Sequence, residues 1–258
     1  MRQFVFLFFL FSSSCFAATT VSFEVVARAD QDPTLFTQGF EIYNDNFFQS
    51  SGLYKKSYLL RFAKHSPGKQ SPAKQAPAKP KRLDVPGNVF AEGLTIFRGK
   101  LYLLSWQEKQ AWQFNPNTFQ LEKTFFYSGE GWGLTHDDKN LILSDGSDTL
   151  KFLNADNFHT ERTLTVTLNG TPVKNLNELE YAKGLIWANQ WKTTKVFGIN
   201  PDNGEVIYSV DLQSLQAEAG VDPADSLANG IAYDEELDLF WVTGKYWQYR
   251  YLIKLKID

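Results

Sequence analysis

The sequence is poor in the residues that most often carry nucleophilic or metal chemistry, with one cysteine and three histidines in 258 residues. Cys15 falls within the first seventeen residues, so a chain cut after Ala17 keeps no thiol and can hold neither a disulfide nor a thiolate metal site. Of the histidines, His65 lies in a loop tract and His136 and His159 are placed on turns, which excludes a Ser-His-Asp triad and a His-rich metal cluster. No glycine-rich phosphate loop occurs. Asp145-Gly146-Ser147-Asp148 lacks the longer spacing of a calcium loop and reads as a tight strand connection, and Asp137-Asp138-Lys139-Asn140 reads as a hairpin turn. There is no basic excess: the formal charge is −3, without the footprint of a nucleic-acid binder. Nor is there a long apolar run. The stretch Phe4 to Phe11, preceded by Arg2 and followed by Ala17, is too short to span a bilayer as a helix and reads as a secretory signal peptide over residues 1–17. A lipoprotein signal anchored through Cys15 is the competing reading, although the serines at 12–14 stand where such a signal carries an apolar residue. A periplasmic or secreted protein is expected, without an integral membrane segment once the leader is removed.

What is present is a repeated hairpin. Val89 to Trp106 contains two alternating apolar runs, Phe90-Ala91-Glu92-Gly93-Leu94-Thr95 and Leu101-Tyr102-Leu103-Leu104-Ser105-Trp106, joined by a turn at Arg98-Gly99-Lys100. Its opening half returns as Phe36-Thr37-Gln38-Gly39-Phe40, Gly131-Trp132-Gly133-Leu134, Asn177-Glu178-Leu179-Glu180 and Asn229-Gly230-Ile231-Ala232-Tyr233. A closing strand follows each, then a third strand such as Tyr58 to Phe62 or Val196 to Ile199, and then a turn such as Asn115-Pro116-Asn117 or Asn200 to Gly204 into a fourth. Four strands per unit and five units predict an all-β, five-bladed β-propeller over residues 18–258. An aromatic content of 16% suits blades packed face to face.

The last unit stops after its third strand. The alternating strand Val21 to Ala27 ahead of the first unit is expected to supply the missing outer strand, because a three-stranded blade would leave an unpaired edge beside the seam. Lys64 to Arg82 is a Pro, Ala and Lys tract with a five-residue tandem and a charge of +6. With almost nothing to bury, it is expected to be a solvated insertion loop between the third and fourth strands of the first blade. Residues 211–220 change to a helical spacing.

The first strands of propeller blades line the central channel, so Gln38, Glu92, Trp132, Glu178 and Asn229 are expected to converge at one mouth. The ends of the second strands bring Ser50, Trp106, Asp145, Trp191 and Lys245 toward it. Carboxylates, an amine, amides and indoles together make a small-molecule or peptide-terminus site. Among these residues, Glu178 and Glu180 are read as hydrogen-bonding neighbouring strands and Asn229 and Asp145 as structural.

Taken in order, Phe36-Thr37-Gln38-Gly39, Phe90 to Thr95, Gly131 to Leu134, Ser144 to Ser147, Leu176 to Glu180, Trp187-Ala188-Asn189-Gln190-Trp191, Asn229 to Ala232 and Thr243-Gly244-Lys245 resemble the motifs of the plant and bacterial type of glutaminyl-peptide cyclotransferases. The resemblance runs from about Val25 to the C-terminus, interrupted mainly by the Lys/Pro tract. It implies an enzyme that converts the N-terminal glutamine of a peptide to pyroglutamate with release of ammonia, on a five-bladed propeller and without the zinc or any other cofactor of the animal type. By the same resemblance the site residues are Glu92 and Lys245 as catalytic groups, with Phe36, Gln38, Phe90, Trp106, Trp132, Asn177 and Trp191 binding substrate. Gln248 departs from the family pattern, which leads one to expect proline after Trp247.

The chemistry is consistent with that inventory. Attack of the α-amine on the side-chain carboxamide closes a five-membered ring, so proximity already favours the step. With an α-amine pKa of roughly 7.7–8.0, enough neutral amine is present near neutrality. Glu92 is expected to shuttle the proton, Lys245 or Gln38 to donate to the oxyanion, Asn177 to hold the carboxamide or backbone, and the tryptophans to wall the pocket. Apolar surroundings would raise the Glu92 pKa and a close Lys245 would lower it. Propellers host many functions, and two other readings fit the architecture: a metal-dependent lactonase or esterase, and a noncatalytic periplasmic binding propeller. A closed ring gives no reason to expect more than a monomer.

Overall fold

The computed structural model describes residues 17–64, 80–220, 222 and 225–257. The leader to residue 16, Cys15 included, and the tandem tract with His65 lie outside the described residues. The chain opens with β1 (Thr19–Val21) and β2 (Phe23–Asp30), which belong to two different sheets. Blade 1 follows as β3 (Thr37–Tyr43), β4 (Asn46–Ser51), β5 (Tyr58–Ala63) and β6 (Lys81–Asp84), and blade 2 as β7 (Ala91–Phe97), β8 (Lys100–Ser105), β9 (Gln110–Phe114) and β10 (Leu121–Phe126). Blade 3 is β11 (Leu134–His136), β12 (Leu141–Leu143), β13 (Thr149–Leu153) and β14 (Thr160–Thr165), after which β15 (Thr167–Leu168) and β16 (Thr171–Pro172) form a small hairpin. Blade 4 is β17 (Leu176–Ala182), β18 (Leu185–Gln190), β19 (Lys195–Ile199) and β20 (Val206–Asp211), followed by the helix α1 (Gln213–Ala219). Blade 5 is β21 (Ala228–Asp234), β22 (Leu239–Gly244) and β23 (Tyr249–Leu255). The architecture is a five-bladed β-propeller.

The orphan N-terminal strand does close blade 5, but with shifted bounds and a second contact. β2 pairs antiparallel with β23, Phe23 opposite Leu255 and Asp30 opposite Tyr249. Val21 belongs instead to β1, which pairs parallel with β20 as a fifth strand on blade 4. The segment therefore straps the outer edges of two blades across the seam between them. The sequence signal missed β1 because three residues carry too little alternation to be read.

Local turn chemistry explains the repeat. Between the third and fourth strands of blades 2, 3 and 4 the chain reads Asn115 to Phe119, Asn154 to Phe158 and Asn200 to Gly204. In each, the asparagine side chain accepts a backbone N–H two residues on, and its carbonyl accepts the N–H four residues on. The closing residue then has positive φ: 60° at Phe119, 61° at Phe158 and 78° at Gly204. Only glycine fits at 204, since a Cβ would lie 2.0 Å from the Thr165 carbonyl oxygen. Phe119 and Phe158 use the same geometry to turn their rings into the core. In blade 1 the Lys/Pro tract replaces this turn, at the end of the blade opposite Ser51 and Tyr58.

The ends of the tract are more ordered than expected from composition. Lys81 and Arg82 belong to β6. Lys64 is buried and pairs with the equally buried Asp234 at 2.9 Å, tying blade 1 to blade 5. The histidines are corrected as well: His136 ends β11, half-buried, with Nδ1 2.9 Å from the Thr95 hydroxyl, while His159 stays in a turn.

Apolar side chains form five clusters, one at each seam between neighbouring blades. The largest, around Trp187, Phe240, Trp247 and Tyr251, fills the seam between blades 4 and 5 beneath α1. Close to the axis the inner strands approach too tightly for side chains. A Cβ at Gly93 would lie 2.5 Å from the backbone of Leu134.

Candidate functional site

At one end of the axis, the inner strands of four of the five blades are interrupted by a β-bulge. In blades 2, 4 and 5 the pairs Ala91–Ser105, Leu176–Gln190 and Ala228–Gly244 are followed by a two-residue skip before pairing resumes at Leu94, Leu179 and Ile231. Blade 1 has a one-residue skip at Gln38. A bulge re-aims a side chain that regular alternation would send into the blade. Glu92, Asn177 and Asn229 occupy the same bulged position, so the blade-4 counterpart of Glu92 is Asn177 and not Glu178. Glu178 stands where the other blades have glycine, and it points back across the axis. Its carboxylate accepts the backbone N–H of Phe40 at 3.2 Å and of Ile231 at 2.8 Å, sewing blades 1, 4 and 5 together. Glu180 likewise accepts the N–H of Tyr233.

A cavity of about 230 Å³ opens at this end, and its walls are Phe36, Gln38, Phe90, Glu92, Trp106, Trp132, Asn177, Trp191 and Lys245. The fold thus brings all nine sequence-derived residues, drawn from all five blades, around one space. Ser50, Asp145 and Asn229 do not line it. Ser50 donates to the Glu92 carbonyl, Asn229 donates to the Gln38 side-chain oxygen at 3.2 Å, and Asp145 pairs with Lys151 at 2.7 Å.

The polar end of the cavity is held in one arrangement. Because Asn229 donates to Oε1 of Gln38, the Gln38 amide nitrogen faces Glu92 and donates to its Oε1 at 2.9 Å. Lys245 sits on a loop just past β22, its backbone tied to Leu227 and the next residue's to Leu35. The Lys245 ammonium lies 4.4 Å from the Phe36 ring centre and makes no direct ion pair with Glu92. Burial raises the Glu92 carboxyl well above the ordinary carboxylate range; Lys245 pulls it down, but by less. Burial also lowers the Lys245 amine to about 8, against the raising influence of Glu92. The contest left open by the sequence therefore goes to desolvation. Asn177 adds a buried side-chain oxygen that no protein donor meets, an unusual cost in an interior.

The apolar walls are aromatic. Phe90 meets Phe36 and Trp106 edge-on at 6.1 and 5.5 Å, and Trp132 meets Trp191 at 5.4 Å with planes 87° apart. Glycines make room for them: a Cβ at Gly52 would lie 2.3 Å from the Phe90 ring, and one at Gly146 would lie 2.6 Å from Trp132.

Two features escape the sequence reading. Glu130 accepts the indole N–H of Trp106 and of Trp132, and Glu108 accepts the Tyr54 hydroxyl beside Phe90. The available signal for Glu130 was its place between two glycines: Gly129 has φ 88°, and a Cβ at Gly131 would collide with the Tyr127 hydroxyl. Gln248, the departure from the expected proline, donates its backbone N–H to Ala219 at 2.9 Å, a bond between loop and helix that proline cannot make.

A family model described as glutamine cyclotransferase matches residues 8–255. The chain is 33% identical over 242 residues to the glutaminyl-peptide cyclotransferase of Arabidopsis thaliana, covering 90% of this chain and 71% of that protein. It resembles the crystal structure of Myxococcus xanthus glutaminyl cyclase with a TM-score of 0.81 and 32% identity, over 93% of this chain and 100% of the other.

Proposed function

The chain belongs to the glutamine cyclotransferase family, and on that footing we propose that it cyclises the N-terminal glutamine of peptides to pyroglutamate with release of ammonia, using the aromatic-walled cavity around Glu92. It is a glutaminyl-peptide cyclotransferase, an acyltransferase. The observation that carries the assignment to this cavity is the buried carboxyl group of Glu92, raised by burial well above the ordinary carboxylate range and presented to a pocket with an amine donor at hand.

In this reading the neutral α-amine attacks the side-chain carboxamide carbon, and the carbonyl electrons move onto oxygen, where the Lys245 ammonium meets the developing charge. The attacking nitrogen must lose a proton and the departing nitrogen must gain one. A neutral carboxyl group does both through its two oxygens and ends neutral, its proton moved from one oxygen to the other. The N–H from Gln38 marks Oε1 as the carbonyl side, which accepts from the amine and leaves Oε2 to carry the proton delivered to the leaving nitrogen. The carbon–nitrogen bond breaks, ammonia departs and the lactam keeps one N–H. The unmet oxygen of Asn177 accepts a substrate N–H, and the indoles of Trp106, Trp132 and Trp191 hold the glutamine curled toward its own amine.

The apolar leader supports export to the periplasm or beyond, with residues 18–258 as the working monomer. Among the described residues no helix is long and apolar enough to cross a membrane.

The test is ammonia release, with the matching mass loss, from a glutamine-initiated peptide beside an asparagine-initiated control. Loss from the glutamine peptide alone, reduced roughly 10²–10⁴-fold in a folded Glu92→Gln protein, is the expected result. Near-normal turnover by that variant would remove Glu92 from the proton transfer.

A further inference from the structure

A cavity of about 230 Å³ accommodates the terminal glutamine and little more, since pockets for whole small molecules are roughly 300–1,000 Å³. The rest of a peptide substrate must leave over the rim. A second depression of about 510 Å³ lies beside the cavity, formed by residues 32–34, the connection from β4 to β5, and Tyr246. It meets the cavity at two places. Tyr246 lines the depression and packs 5.3 Å from the Phe36 ring of the cavity wall, and Gly52 lines it while lying directly against Phe90.

The two sides of the mouth differ in charge. On the side of blades 2 and 3 stand Glu108 and Glu130, whose charges reach Glu92. On the side of blade 1, the depression presents Lys55 and Lys56, both exposed and engaged in no ion pair among the described residues. Arg82 also lines it, stacked 3.7 Å over Tyr58 and neutralised by Asp84 at 2.6 Å. Asp32 is the single carboxylate lining it, set against the charges of the two lysines, and its Oδ1 accepts the backbone N–H and hydroxyl of Thr34. A peptide entering by its N-terminus leads with a cation and trails its chain, so a mouth graded from acidic to basic orients it with the following residues over the lysines.

We propose that this depression is the subsite for the two residues that follow the glutamine, and that it takes acidic side chains there. The inference rests on the cyclotransferase reading above. Exposed ion pairs contribute roughly 0.2–1 kcal/mol each and are screened by salt.

The experiment compares kcat/KM for three amidated peptides that differ only in the two residues after glutamine: Asp-Asp, Ala-Ala and Lys-Lys. The wild-type protein is expected to favour them in that order, with about a three- to tenfold span that shrinks in high salt. In Lys55→Glu/Lys56→Glu the order reverses, and in Lys55→Ala/Lys56→Ala it collapses, while the Ala-Ala peptide, without side-chain charge, changes least among the three proteins. Equal values for the three peptides in the wild type, or an unchanged order in both variants, would overturn the proposal. Failure of every peptide to release ammonia would instead overturn the cyclotransferase reading and this subsite with it.

Discussion

Oε2 of Glu130 accepts the indole N–H of Trp132 at 2.9 Å, and the same oxygen accepts that of Trp106 at 2.8 Å. One carboxylate thus clips together two walls that come from different blades. These donors hold the Glu130 carboxyl below its ordinary range even though desolvation, the largest single influence, opposes them. Its retained charge is one of the lesser influences that raise the Glu92 carboxyl, after desolvation.

Removing the clip should loosen the pocket before it touches the chemistry. Glu130→Ala leaves two indole donors without an acceptor, at a cost of about 1–3 kcal/mol, and is expected to raise KM more than it lowers kcat. Glu130→Gln keeps an acceptor but not the charge, so it should retain most of the binding. Steady-state kinetics with indole fluorescence distinguishes the two.

Activity should pass through a maximum as pH rises. The substrate amine must be neutral, with a pKa of roughly 7.7–8.0, so the rate climbs toward that range. Lys245 loses its proton near a pH of about 8, and with it the oxyanion donor, so the rate falls beyond. Lys245→Arg, whose guanidinium stays charged, is expected to lower the maximum and move the alkaline limb upward, read from a kcat/KM profile.

Glu41 should make the fold less stable at alkaline pH. Burial raises its carboxyl to about 8 from an ordinary 4.5, against the lowering influence of the Thr95 hydroxyl. The folded state therefore keeps a proton that the unfolded chain gives up, and stability falls as pH climbs from about 4.5 to about 8. Glu41→Gln is expected to flatten that slope in Tm measured across the same range.

The pair Lys64 and Asp234 should be costly to break from one side. Both side chains are buried, at 4% and 1% exposure. Lys64→Met leaves Asp234 uncompensated at the seam between blades 5 and 1, and a loss of about 3–5 kcal/mol is expected in denaturant unfolding. Ammonia release by the protein that remains folded should be unchanged.

The sequence by itself determined the number of blades and the strands within them, and its resemblance to the glutaminyl-peptide cyclotransferases named the nine residues that line the cavity. The blades and strands follow from short-range facts: alternation with period two, asparagine turns that recur along the chain, and a motif repeated where the inner strands begin. Even the closing role of the N-terminal segment follows from counting strands in the last unit. Only the tertiary structure decided matters that depend on distance across blades. It put Asn177 where the repeat alone had placed Glu178, because a bulge is a mismatch between two strands and cannot be read from either alone. It made Lys64 a buried tie rather than the start of a solvated tract, since the matching carboxylate lies 170 residues away. It revealed Glu130, whose role exists only because two indoles from separate blades point at one oxygen. And it set the direction in which the Glu92 carboxyl is shifted, upward, because desolvation is a property of everything packed around a group and not of its neighbours in the chain.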